Sequence, residues 1–154
     1  MAAEIATHDA PAWRDKANFL IFADLSTTGM VGRWEQLWAQ QASDDEFVIC
    51  CIPYFAYGLA LGDKVRTAAS ASKKYVETGV VARSGHRAFR LWLKDATPDA
   101  RARVLKYVER YTPVHEWSSD NLLVVDVPER EPSPAVVALL DDLTRTSIRW
   151  EWSD

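Results

Sequence analysis

The chain has 154 residues, which suits one domain or two very small subdomains. Its 48% hydrophobic and 26% charged residues are typical of a globular protein and exclude a disordered chain. No run reaches the roughly 18 apolar residues of a membrane helix, and Met1–Lys16 lacks the basic and hydrophobic blocks of a secretory signal. We therefore expect a cytoplasmic protein in which residues 1–17 form a flexible lead-in.

Cys50 and Cys51, the two cysteines, are neighbours in the chain. Neighbouring side chains in a strand point to opposite faces and very rarely bond to each other. The sequence therefore predicts no disulfide scaffold. We expect both cysteines to be small buried hydrophobic residues in a reducing compartment.

Residues 18–84 contain short apolar alternations that predict a small all-β subdomain. Phe19, Ile21 and Ala23 fall on one face, which is the period of a half-buried strand. The polar break at Ser43–Asp45 favours a β-hairpin across it. Together these segments predict a small antiparallel curled sheet or an SH3-like barrel. The predicted strands are 18–25, 33–40, 46–52, 63–68 and 73–83.

Residues 85–154 predict strands and helices in the order β-α-β-β-α-β, the ferredoxin-like arrangement. Thr97-Pro98 and Ser133-Pro134 are N-cap signals that start the two helices. The first helix is predicted to run to about Tyr111, and Pro113 stops it. We expect the two subdomains of this α+β protein to pack as one unit. The predicted strands are 87–94, 114–117, 122–127 and 147–152.

The stretch Ile49–Asp63 is the most apolar in the chain and carries no charge until its last residue. Its position between the two halves favours a structural joint, since apolar runs more often belong to a core than to a functional site. Alternatively, the stretch forms the lip of a small-molecule pocket. The pocket residues would then be Tyr54, Phe55, Tyr57 and Asp63.

Residues that carry catalytic or metal chemistry form no recognisable pattern. The three histidines, at positions 8, 86 and 115, stand far apart, and Cys-x-x-Cys, phosphate-loop and Gly-x-Ser-x-Gly motifs are absent. Ser84 and His86 with Asp63 or Asp95 offer only the kind of triad combination that any chain of this length contains. The sequence therefore predicts no catalytic residue, no cofactor and no metal ligand.

The last part of the chain is acidic: from Thr112 to Asp154, nine acidic residues stand against three basic ones. Such a surface repels phosphate backbones and attracts basic proteins, which argues against nucleic acid as the main partner. Tryptophan, of which the chain has seven, supplies rigid apolar area suited to protein interfaces. The predicted partner-binding residues are Glu116, Trp117, Asp120, Glu129, Glu131, Asp141, Asp142, Trp150 and Trp152.

Two segments carry a resemblance to a known family. They are Arg33-Trp34-Glu35-Gln36-Leu37-Trp38 and Pro53-Tyr54-Phe55-Ala56-Tyr57-Gly58-Leu59-Ala60-Leu61-Gly62-Asp63, followed by Gly85-His86-Arg87. The chain resembles a bacterial family of small stand-alone proteins catalogued as a domain of unknown function. The resemblance covers the chain from about Phe19 to the last strand. It implies a bacterial cytoplasmic origin, and it implies no particular activity or catalytic residue.

Two hypotheses for function follow. The first is a non-enzymatic protein-binding module, most concretely an immunity-type protein that neutralises a basic bacterial toxin by occupying it. The second is a small-molecule sensor or regulatory domain with a pocket at Tyr54–Asp63. Neither hypothesis involves a membrane or a nucleic acid.

Overall fold

The computed structural model describes residues 4–110, 114–146 and 148–154. These residues form two α-helices, a six-stranded mixed sheet and a four-stranded antiparallel sheet, which confirms the predicted α+β class. In this part of the chain, no helix is long and apolar enough to cross a membrane.

The first sheet contains β1 (Glu4–Ala6), β2 (Phe19–Asp24), β3 (Arg33–Gln41), β4 (Glu46–Ile49), β5 (Lys64–Ser70) and β6 (Lys73–Ala82). Its order is β1-β3-β2-β6-β5-β4, and β3 also pairs with β4, so β2 to β6 close into a ring. A ring with an odd number of strands cannot be antiparallel at every pair, and here β2 and β6 are parallel, as are β1 and β3. The predicted antiparallel arrangement is therefore corrected to a mixed one.

Side chains alternate between the inside and the outside of this ring. On β2, Ile21 and Ala23 are buried, whereas Leu20 and Asp24 are exposed. This alternation was predicted from the sequence, and it places every second apolar residue in the core. The ring core contains Ile21, Ala23, Leu25, Leu37, Ala39, Phe47, Ile49, Cys51, Ala56, Leu59 and Val65.

The second sheet contains β7 (Arg87–Trp92), β8 (His115–Ser119), β9 (Leu122–Val127) and β10 (Arg149–Trp152), in the order β10-β7-β9-β8. Helices α1 (Pro98–Glu109) and α2 (Pro134–Thr144) pack on one face of it. Both predicted N-caps are confirmed, because Thr97 Oγ1 accepts from the Ala100 N–H at 3.2 Å and Ser133 Oγ from the Val136 N–H at 3.3 Å. The predicted helix end at Tyr111 and Pro113, and the predicted strand start at Ser147, lie outside the described residues.

The other face of the second sheet meets the ring through the segment that follows β4. Ile52 and Tyr54 share a buried cluster with Ala88 of β7 and Val124 of β9. The strand predicted to reach Ile52 already ends at Ile49, so the chain leaves the ring there and runs between the two layers. This placement matches the joint interpretation of the stretch.

The N-terminal segment packs into the same interface, contrary to the predicted flexible lead-in. β1 pairs with β3, the Trp13 N–H donates to the Cys50 carbonyl at 2.9 Å, and His8 is 3% exposed. Residues 4–17 are therefore part of the folded structure. The polar contacts of this segment, such as those of His8, leave no hydrophobic periodicity in the sequence.

Candidate functional site

His8, Glu35 and Glu116 form a buried charged cluster between the two layers. His8 Nε2 lies 2.7 Å from Glu35 Oε2, and His8 Nδ1 lies 2.7 Å from Glu116 Oε1. Glu35 shares the inward face of β3 with Leu37 and Ala39, and Glu116 lies opposite Val124 on the face of the second sheet that meets the ring. The three side chains join the N-terminal segment, the ring and the second sheet.

The same two carboxylates also hold the backbone of the joint. Glu35 accepts from the N–H groups of Tyr54, Phe55 and Ala56 at 2.7 to 2.9 Å. Glu116 accepts from the N–H of Ile52 at 2.6 Å and from that of Ala12 at 3.2 Å. All four carboxylate oxygens are engaged, which is the condition under which buried charge is tolerated.

Protonation states in the cluster follow from these contacts. Burial lowers the pKa of His8, but the hydrogen bonds with the Glu116 and Glu35 carboxylates outweigh the effect of burial, so the pKa of His8 is raised. Burial raises the pKa of Cys51, although His8 opposes the shift. Burial also raises the pKa of Tyr54, whose ring stacks on His8 at 3.8 Å between centroids. The cluster therefore contains an imidazolium beside an uncharged thiol and an uncharged phenol.

His8 and Cys51 of this cluster are not placed to bind a metal or to act as a nucleophile. An imidazolium bonded through both nitrogens has no lone pair for a metal, and a buried neutral thiol is a poor nucleophile. Among the described residues, no group of three or more His, Cys, Asp or Glu is arranged to hold a metal ion. The cluster is a structural element that fastens three parts of the chain together.

Ser84 and His86, which the sequence offered for a triad, are not arranged as one. His86 Nδ1 lies 2.9 Å from Asp126 Oδ1. The Ser84 hydroxyl donates to the Leu61 carbonyl at 2.7 Å and accepts from the backbone N–H of His86 at 3.1 Å. Since the hydroxyl bonds backbone groups and not the imidazole, His86 is not placed to take its proton.

An open cleft of about 680 Å³ lies where the joint meets the second sheet. Tyr57, 46% exposed, forms one wall, and its hydroxyl donates to Glu151 of β10. The walls combine two aromatic rings, a leucine, two cationic side chains, an amide and a carboxylate. The lining residues are Tyr57, Trp92, Leu93, Lys94, Asn121, Arg149 and Glu151.

Arg90 lies behind the Tyr57 wall of this cleft. It is 1% exposed, its Cζ is 4.2 Å from the centroid of the Tyr57 ring, and its Nε donates to the Tyr54 carbonyl. Within the described residues, neither Nη1 nor Nη2 has a hydrogen-bond partner. Burial lowers the pKa of Arg90, although the nearby Tyr57, Glu35 and Glu151 oppose the shift.

A second groove, of about 500 Å³, lies between α1 and α2 and has Val104, Tyr107 and Leu143 in its walls. None of the described lining residues of either cavity carries an unpaired buried polar atom, but Arg90, which does, lies directly behind the Tyr57 wall of the first cleft. The cleft beside Tyr57 is therefore the better candidate site, since ligand sites combine apolar walls with a few convergent polar groups.

The prediction that Glu116 contacts a partner at the surface is wrong. Its side chain is buried and holds His8 and two backbone N–H groups, so it cannot reach a partner. Trp117, Trp150 and Trp152 are half-buried and pack against the core beneath the helices. Much of the apolar area predicted to anchor a partner is therefore used inside the protein.

The remaining predicted acidic contacts are exposed. Asp120 lies 3.6 Å from Arg101, and Asp142 lies 3.8 Å from Arg145. Whether any of them binds a partner stays a prediction. The exposed acids are Asp120, Glu129, Glu131, Asp141 and Asp142.

The four predicted pocket residues do not line one cavity. Tyr54 is 2% exposed, and Asp63, 1% exposed, accepts from the N–H groups of Ala60 and Ser84. Phe55 lines a separate cavity of about 150 Å³ beside β1. Tyr57 alone among the four reaches the larger cleft.

Sequence reasoning missed three residues that organise these sites: His8, Glu35 and Arg90. For Glu35 a signal existed, because the alternation of β3 places it on the same face as Leu37 and Ala39. A charged residue at an inward strand position implies a buried partner. Nothing in the sequence indicated that His8 is that partner, because the two are 27 positions apart.

Comparisons with known proteins identify the family. A family model described as "Domain of unknown function (DUF4265)" matches residues 35–152. A hypothetical protein from Neisseria gonorrhoeae has a similar crystal structure, with a TM-score of 0.67 and 20% sequence identity over 88% of this chain and 95% of that chain. At this identity the likeness concerns the fold alone. No curated protein matches the chain. Because the family model spans more than half of the sequence, this chain belongs to the DUF4265 family of domains of unknown function.

Proposed function

We propose that this protein is a non-enzymatic binding module that takes a small molecule in the cleft beside Tyr57, in the manner of a sensor or regulatory domain. The observation that carries the proposal is the cleft itself, whose volume of about 680 Å³ lies within the usual range of ligand sites, about 300–1,000 Å³. It combines the aromatic walls of Tyr57 and Trp92 with the polar groups of Asn121 and Arg149. It lies where Tyr57 of the joint meets the second sheet.

A binding role is favoured over catalysis by the state of the titratable groups. His8 and Cys51 are sealed inside the protein, and His86 is paired with Asp126. The cleft contains cationic groups and Glu151, whose carboxylate accepts from the Tyr57 hydroxyl. A general acid or base needs an accessible proton-transfer path to a substrate, which none of these histidines offers.

A thermal-shift screen with amino acids, nucleotides and neutral sugars tests the proposal. A ligand at about 100 times its Kd adds about 2.7 kcal/mol to stability, which corresponds to roughly 5–10 °C in Tm for a chain of this size. Arg149→Trp fills the cleft and should abolish the shift. Arg66→Trp, at an exposed strand position of the ring, is the matched control and should retain it. A shift that survives Arg149→Trp, or no shift with any compound, would contradict the proposal.

A second candidate is the immunity-type role, in which the protein occupies a basic bacterial toxin. The exposed carboxylates at Glu129, Glu131 and Asp141 favour it, since acidic surfaces steer basic partners. Binding to a purified basic toxin, measured at low and high salt, separates this role from small-molecule binding. Charge reversal at Glu129, Glu131 and Asp141 should then reduce the association rate and leave ligand binding in the cleft unchanged.

We also propose finer fold labels. The closed ring supports an SH3-like barrel for residues 18–84, and the order β10-β7-β9-β8 supports a ferredoxin-like arrangement for residues 85–154. The cluster of Ile52, Tyr54, Ala88 and Val124 supports packing of the two as one unit. Cooperative unfolding in a single transition, followed by probes in each part, would test this division.

A further inference from the structure

Arg90 is a buried cation that uses only part of its hydrogen-bonding capacity. Its Nε donates to the Tyr54 carbonyl, and the four N–H bonds of Nη1 and Nη2 have no acceptor among the described residues. The face of the Tyr57 ring offers the guanidinium π electrons but no lone pair. Unpaired buried donors are rare in folded proteins, and arginine cannot shed its proton to avoid the penalty.

The strand pairing places Arg90 next to the inner end of the cleft. Arg90 and Trp92 are two positions apart on β7, so they point to the same face, and their cross-strand partners on β10 are Glu151 and Arg149. Trp92, Glu151 and Arg149 all line the cleft. The ring of Tyr57 is what separates the Arg90 guanidinium from it.

Tyr57 has the features of a side-chain cover. Its ring is 46% exposed and is held by the cation–π contact with Arg90 and by a hydroxyl bond to Glu151. The backbone beside it is fixed, because the Gly58 N–H donates to the Ser153 carbonyl at 3.0 Å. Rotation of the side chain therefore opens a path to Arg90 without moving the chain.

Resting on the small-molecule function proposed above, we propose that the ligand is an anion, a carboxylate or a phosphate ester, that displaces the Tyr57 ring and bonds Nη1 and Nη2 of Arg90. The paired terminal nitrogens of arginine match two oxygens of such a group. Lys94 and Arg149 at the cleft walls add positive charge, and Glu151 is the one acidic group among the lining residues. The cleft is thus net cationic although the whole chain carries a formal charge of −4.

The test uses three probes of similar shape: benzoate, phenyl phosphate and the uncharged benzamide. Each is titrated into the full-length protein at constant ionic strength, and NMR follows the Arg90 Nε–H and Trp92 indole signals. Both anions should bind at least about tenfold more tightly than benzamide, the factor expected for a charge-assisted hydrogen bond. A preference for phenyl phosphate identifies phosphate esters as the ligand class, and a preference for benzoate identifies carboxylates.

Variants separate the role of Arg90 from general charge. Arg90→Lys keeps the charge but removes the paired donors, and should weaken anion binding about tenfold. Tyr57→Ala removes the covering ring at a partly exposed position and should therefore tighten anion binding. This variant keeps the proposal testable even if Arg90→Lys folds poorly. Arg145→Lys, which lies outside the cleft, is the control and should leave the affinity for the anions unchanged.

Equal affinities for benzoate, phenyl phosphate and benzamide would overturn the anion assignment while the small-molecule function stands, provided that Arg149→Trp abolishes their binding. If neither Arg90→Lys nor Tyr57→Ala changed the affinity for the anions, the proposed role of these two residues would be overturned. Absence of saturable binding by either anion at millimolar concentration would overturn the inference as well. The small-molecule function itself fails only if the wider thermal-shift screen also finds no ligand that Arg149→Trp blocks.

Discussion

Glu116 of β8 and His8 of the N-terminal segment, 108 positions apart in the chain, share a 2.7 Å hydrogen bond in a site closed to solvent. This bond ties the second sheet to the segment that β1 anchors on the ring. Glu116→Gln should lower the free energy of unfolding by about 1–3 kcal/mol. His8 keeps its bond to Glu35, but an amide has only one acceptor oxygen and cannot serve both His8 and the backbone N–H groups of Ile52 and Ala12. Urea unfolding measures the change. Asp120→Asn, on the same hairpin but exposed, should change stability by about 0.5 kcal/mol or less; equal losses in the two variants would contradict the structural role of the cluster.

His8 should make stability depend on pH near neutrality. Its pKa is raised above its ordinary value of 6.5, so above that pH the unfolded chain releases a proton that the folded protein keeps. Stability is therefore full below pH 6.5 and falls as the pH rises, by up to about 1.4 kcal/mol per pH unit. Cys51 and Tyr54, whose pKa values are also raised, contribute only near and above their ordinary values of 9.0 and 10.0.

The measurement is the unfolding free energy of wild type and His8→Gln in urea between about pH 6.5 and pH 8.5. In the folded wild type, His8 faces Glu35 and Glu116 and keeps its proton in this pH range. The variant lacks the titrating ring and should show a flatter profile as well as lower stability. Parallel profiles in the two proteins would show that the cluster holds His8 uncharged.

Gly62 should tolerate no side chain. Its φ is +86°, and an added Cβ would lie 2.9 Å from Ser84 Cβ and 3.0 Å from Trp13 Cη2. Gly32 has a similar φ of +77° with nothing within 4 Å, so Gly32→Ala isolates the backbone cost, about 1–2 kcal/mol. Gly62→Ala adds the steric conflict and should cost about 1–3 kcal/mol more. Urea unfolding of both variants checks the difference, and equal losses would mean that Ser84 and Trp13 both move aside at little cost.

Phe55 tests the joint between the layers. It is half-buried and packs against both the ring core and the cluster at the second sheet. Phe55→Ala should cost about 2–3 kcal/mol, somewhat less than the roughly 3–5 kcal/mol of a fully buried phenylalanine. Val31→Ala, at a position 82% exposed, is the control and should be nearly neutral. If Phe55→Ala left Tm unchanged but reduced ligand binding, the residue would belong to a binding lip.

Signals between residues close together in the sequence made both helices and several strands predictable. Proline one residue after Thr97 and after Ser133 specifies a helix start, and both side chains cap as expected. Alternation on β2 and the continuous apolar run of β9 likewise depend on near neighbours. By contrast, β4 was predicted too long, because Cys50 and Ile52 are as apolar as the residues of a strand although they belong to the joint.

The candidate sites were much less predictable. Glu116 resembled other acids of the last third until the fold placed it against His8. Trp150 and Trp152 resembled interface anchors until the sheet turned them toward the helices. The sequence names Tyr57 as a candidate pocket residue, and the structure places it in the wall of the cleft. For Arg90, which packs on the Tyr57 ring, the sequence indicates only a position in an alternating strand.

The amino-acid sequence by itself determined where both helices and the strands after β1 begin, which faces are apolar, and the family, because these depend on residues a few positions apart or on whole-chain similarity. The tertiary structure alone decided which polar residues are buried and what they meet. Burial of His8, Glu35 and Arg90 depends on contacts with distant segments, and a charged residue looks the same in sequence whether water or an opposite charge surrounds it.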